Sequence, residues 1–154
     1  MVAAPAIPPT AASRAAFAQP QRALYAGVMV LAAGLGIAAA AAACAAAGGG
    51  AGTARLAAMI VAAGALPGLA PAVIGRPPYW GLVVLGASIV RLLVIAGLAA
   101  LVTQVREVEG GRETLWGGVI AGAGLILMIE SAAAVVILKR MQPAHAGRQP
   151  SERV

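Results

Sequence analysis

Aspartate is absent from this 154-residue chain, and cysteine, histidine and lysine occur once each. Those shortages exclude much chemistry. A Ser/His/Asp set cannot be assembled without aspartate and with His145 alone in a polar tail. One cysteine and one histidine cannot build a conventional zinc or haem site, so neither a metal nor a cofactor is expected. No Gly-x-x-x-x-Gly-Lys phosphate loop is present. Cys44 lies in an alanine run and reads as a small packing residue, with no disulfide partner in the chain. Charged residues make up only 10% of the chain and aromatic residues 3%, so a water-soluble packed core is also improbable. No enzymatic activity is expected.

What remains is apolar. Hydrophobic types reach 61% and the mean hydropathy is +0.91. The apolar residues fall into four segments, at about 23–47, 54–74, 79–105 and 115–138. Each reaches or approaches the ~20 residues that cross a bilayer as a helix. The fold class is therefore all-α: an integral membrane protein of four transmembrane helices in two antiparallel hairpins. Pro5, Pro8, Pro9 and Pro20 make residues 1–22 read as a disordered tail, and residues 140–154 read as a second one. Residues 23–139 form the membrane domain between them. Pro67 falls inside the second segment and predicts a kink or an early end there. Gly75-Arg76-Pro77-Pro78 stops that segment, and Tyr79-Trp80 stands where an interfacial aromatic belt belongs.

Basic residues set the orientation. An even number of spans puts both tails on one side, with Arg14, Arg22, Arg76, Lys139, Arg140, Arg148 and Arg153. The other side carries Arg55, Arg106 and Arg112, offset by Glu107, Glu109 and Glu113. The positive-inside rule then places both tails in the cytoplasm, and a multi-pass protein of a bacterial inner membrane is expected. The formal net charge of +6 is read as this anchoring rather than as nucleic-acid binding. Arg14 and Arg22 ahead of an apolar stretch also have the look of a signal peptide. The long leader and long apolar run favour a retained span. No lipidation motif is visible.

Two ionisable residues fall inside spans, Arg91 and Glu130. Each costs about 2.5–3.5 kcal/mol at a helix centre on insertion scales, so an intramembrane charge is a functional candidate by default. Counted at 1.5 Å per residue, Arg91 lies about 18 Å beyond Tyr79 and Glu130 about 13–14 Å before Lys139, from the same side. The two can pair if their faces meet. The pair could lock the helices, or one member could face a partner subunit or an ion path. Ser88, one turn before Arg91, could hydrogen-bond on the same face. Small residues recur every four positions: Gly36, Ala40, Cys44 and Gly48 on the first span, Gly64 and Gly68 on the second, Gly118 and Gly122 on the fourth. This spacing lets helix backbones pack closely. Residues 103–114 read as a solvated turn, with Thr114 as a candidate cap of the last helix.

From about Tyr79 to Arg140 the chain resembles ATP synthase protein I, a small four-helix bacterial membrane protein encoded with the rotary ATP synthase. The resemblance rests on Tyr79-Trp80, the small run Gly86-Ala87-Ser88, Arg91 inside the third helix, a short linker, and a glycine-containing fourth helix with a basic end. The family often carries an acidic residue about one turn before the basic one. Ser88 takes that place here, leaving Glu130 to supply the carboxylate. The resemblance implies help in assembling the ring of proton-carrying c subunits, with Arg91 meeting a ring carboxylate. The expected role is thus an assembly factor or accessory subunit of an energy-transducing membrane complex, with other membrane subunits and the lipid bilayer as partners. Two alternatives remain open: a small ion or proton transporter or channel using Glu130, and a purely structural subunit.

Overall fold

A computed structural model describes residues 11–74, 80–108 and 110–141. Helix α1 covers Ala11–Ala46 and α2 covers Ala51–Ala65. A 3-10 turn, Leu66–Leu69, links α2 to the short α3, Ala70–Ile74. Helices α4, Trp80–Val105, and α5, Gly111–Met141, complete the chain. The described residues contain no strand, and four stretches are long and apolar enough to cross a membrane: Arg22–Ala46, Ala51–Ile74, Gly81–Val105 and Gly111–Ile137.

The breaks between helices follow from local chemistry. The Gly48-Gly49-Gly50 run ends α1 in a Schellman motif. Gly48 adopts φ +80°, the Gly48 N–H bonds the Ala45 carbonyl at 3.2 Å, and the Gly49 N–H bonds that of Cys44 at 2.8 Å. Gly48 is therefore a cap, exposed at the helix end, and not a fourth member of the packing stripe. Pro67 does break the second span, as its missing N–H predicts. The chain answers with tighter bonds, the Leu66 N–H reaching Ala63 and the Ala70 N–H reaching Pro67.

Some boundaries differ from expectation. Helix α1 begins at Ala11 and runs through Pro20, well inside the stretch expected to be a tail. One proline removes a single donor, and the alanine-rich flanks are strong helix formers. Helix α5 begins at Gly111, ahead of Thr114. The Thr114 hydroxyl accordingly donates back to the Gly110 carbonyl at 2.7 Å from inside the helix, and it is not an N-cap. Gly75-Arg76-Pro77-Pro78, Tyr79 and the tail beyond Met141 lie outside the described residues.

Two sequential hairpins would place the main interfaces between chain neighbours. The most extensive contact instead joins the first and last helices, α1 and α5, followed by α1 with α2. Glycine explains this crossing. A Cβ on Gly122 would stand 2.6 Å from the Gly36 carbonyl oxygen and 2.9 Å from Ala40 Cβ. One on Gly118 would meet Cys44 Sγ and the Ala40 carbonyl. The expected stripe Gly36, Ala40 and Cys44 thus packs backbone to backbone on Gly118 and Gly122 of the antiparallel α5. Gly64 makes similar room for Ile95 of α4. The outer surface is apolar, with Val30, Leu31, Leu82, Leu93 and Met128 all exposed, which suits hydrocarbon and not water.

Gly122→Ala should destabilise the bundle by about 1–3 kcal/mol, because the obstructing atoms belong to backbone and to a short side chain. Gly117→Ala, with open space around it, should be neutral. Unfolding of both variants in detergent, followed by circular dichroism, measures the difference.

Candidate functional site

Arg91 and Glu130 meet. Arg91 Nη1 donates to Glu130 Oε2, and the two side chains are 0% and 2% exposed. The juxtaposition follows from helix geometry. Arg91 lies on the α4 face that also buries Val84, Ala87, Ile95 and Ala99, positions three or four residues apart. Glu130 lies on the α5 face with Val119, Ala123, Ile126 and Ile137. Both faces turn to one apolar core, so each charge has nowhere to go but the other.

The other carboxylate oxygen is also engaged. The Tyr25 hydroxyl donates to Glu130 Oε1 at 2.9 Å, from a side chain that is fully buried. Three helices therefore converge on one carboxylate: α1 through Tyr25, α4 through Arg91 and α5 through Glu130. The second span contributes shape rather than charge. A Cβ on Gly68 would overlap Arg91 Nη2 and come within 2.9 Å of Met29 Cε. The 3-10 turn brings this glycine to the guanidinium, and only a residue without a side chain leaves Arg91 its place. Gly68, expected as a packing residue, is thus part of the charged site.

Tyr25 escaped the reading of the sequence. Its signal was present: Tyr25, Met29, Ala32, Gly36, Ala40 and Cys44 form one buried face of α1. A buried tyrosine hydroxyl usually finds a hydrogen-bond partner, and an intramembrane carboxylate is the obvious acceptor. Ser88 does not join the cluster. Its hydroxyl donates to the Val84 carbonyl of its own helix at 3.0 Å, the usual recourse of a serine inside a helix.

Away from this cluster the inner stretches of α4 and α5 are apolar. Residues 92–102 of α4 and 115–129 of α5 contain no ionisable, hydroxyl or amide side chain. Near the other end, buried polar groups turn to backbone. The Thr103 hydroxyl donates to Ala100 at 2.9 Å, and Cys44 Sγ donates to the Thr114 carbonyl at 3.4 Å. A cavity of about 440 Å³ there is lined by Thr103, Gln104, Arg106, Glu107 and Arg112 among others. Arg106, Glu107 and Arg112 are exposed, as a solvated turn requires. No group of three or more His, Cys, Asp or Glu that could hold a metal exists among the described residues. Comparison with protein-family models, curated proteins and solved structures finds no match to the chain.

Removing one member of the Arg91–Glu130 pair should cost about 3–5 kcal/mol, because the other charge is stranded in the core. Arg91→Leu and Glu130→Leu should each lower the yield of folded protein more than the double variant does. Tyr25→Phe removes one hydrogen bond to a charged group and should cost about 1.5–3 kcal/mol. Unfolding of the four variants in detergent, compared as a double-mutant cycle with Tyr25→Phe alongside, checks both expectations.

Proposed function

We propose that this chain is a non-enzymatic accessory or assembly subunit of a larger energy-transducing membrane complex. It sits in a bacterial inner membrane with both tails in the cytoplasm. Rotary ATP synthase, and assembly of its c-ring, is the first complex to test, on the resemblance of residues 79–140. The observation that carries the reading is that, in the one charged cluster of the described core, both carboxylate oxygens are taken by the chain's own side chains. Both oxygens of Glu130 are occupied, so the residue serves to hold α1, α4 and α5 together. Recognition is left to the outer helix faces. In this arrangement Arg91 acts through the bundle it locks, and not by touching a carboxylate on a second chain.

Transport through Glu130 is the weaker alternative. An ion or proton leaving Glu130 toward the α4–α5 loop would have to cross the stretch between Arg91 and Thr103. That stretch holds no polar side chain on α4, about 18 Å at 1.5 Å per residue. A purely structural subunit differs from the proposed role in leaving the yield of assembled c-ring unchanged when its gene is deleted.

A tagged full-length chain, extracted in mild detergent, should co-purify subunits of the rotary complex. Deletion of its gene should lower the yield of assembled c-ring. Recovery of the chain alone, with normal ring assembly in the deletion strain, would overturn the assignment. In liposomes the chain should give no proton or ion flux above empty vesicles. A flux lost in Glu130→Gln would establish transport instead.

A further inference from the structure

Arginine carries five N–H donors. In Arg91 only Nη1 has an acceptor among the described residues, while Nε and Nη2 are buried without one. Nε and Nη2 form one edge of the guanidinium plane, the edge whose two parallel N–H groups grip a single acceptor. An unpaired charged edge inside hydrocarbon is costlier than an ordinary lost hydrogen bond. The structure therefore points to a ligand on this edge.

The surroundings decide its chemistry. Nη2 lies against Gly68, within the 3-10 turn Leu66–Leu69. Pro67 and Pro71 bring no N–H to this region. The Ala63 and Pro67 carbonyls each receive one N–H, from Leu66 and Ala70. A carbonyl oxygen has a second lone pair to offer. Arg91 thus brings surplus donors to a length of backbone with acceptor capacity to spare. A small molecule that both accepts and donates can join them. An anion suits the site less, because Glu130 already balances Arg91 and a second negative charge would be uncompensated in a low dielectric. A cation would face the guanidinium itself.

We propose that Nε and Nη2 of Arg91 hold a buried water molecule against the broken turn Leu66–Leu69. Two guanidinium donors and one backbone carbonyl supply the two to four polar partners that a buried water requires. The site is a neutral filler of the charged cluster, and it stands whether or not the chain serves a larger complex. The absence of a side chain at Gly68 lets the guanidinium approach the turn closely enough for one molecule to reach both.

The test is solid-state NMR of the full-length chain in lipid bilayers, with ¹⁵N-labelled arginine and magnetisation transferred from water. The Arg91 signal is identified by its loss in Arg91→Lys. Should that variant not fold, it is identified by through-space correlation to the Glu130 carboxylate. Transfer from water to Arg91 Nε is expected, as for the exposed Arg106, while the buried Ile95 amide receives none. No transfer to Arg91 while Arg106 receives it would overturn the proposal. Replacing chloride by gluconate should leave the Arg91 shift unchanged. A chloride-dependent shift would overturn the assignment of a neutral ligand.

Discussion

A guanidinium in hydrocarbon needs a negative charge beside it, and Arg91 has Glu130. The rest of the bundle is arranged around that requirement. The pair works only if α4 and α5 turn these faces inward at the same depth, and only if no side chain from the second span takes the place of the guanidinium. Gly68 leaves that place to Arg91, and the proline-broken turn delivers Gly68. Tyr25 takes the second carboxylate oxygen and ties α1 to the same point. A charge that would be a liability alone becomes the junction of three spans and a notch in the fourth.

The remaining cohesion is of a different kind. Lipid tails are as apolar as leucine, so burying leucine between helices gains little in a bilayer. What holds α1 to α5 is closeness: carbonyls of Gly36 and Ala40 packed on the bare backbone of Gly118 and Gly122. Many large apolar residues face outward, while alanine, glycine and the single cysteine line the crossing, with Ile126 beside Gly36. This reliance on small residues accords with the composition. A chain poor in aromatics and rich in alanine and glycine is suited to helices that pack by contact of their backbones.

Much of this was legible in the residues. The four spans, the break at Pro67 and the two intramembrane charges follow from hydropathy, from a missing N–H and from the cost of burying ions. The small-residue stripes were readable too, but not which stripe meets which. Helical spacing marks a face without naming its neighbour, so the dominant contact of the first and last helices lay beyond it. Thr114 and Gly48 went astray for a local reason: a cap is defined by where a helix stops, and hydropathy places ends only to within a few residues.

The sequence by itself determined the solvent of this protein, the number of its spans and the presence of two charges needing compensation. Those properties depend on composition and on order along the chain. Tertiary structure alone decided that Tyr25 completes the carboxylate and that Gly68 belongs to the charged site. Each of these depends on the rotation and depth of one helix against another. Periodicity leaves both undetermined, because a helix presents every one of its faces to some neighbour and the sequence does not say which.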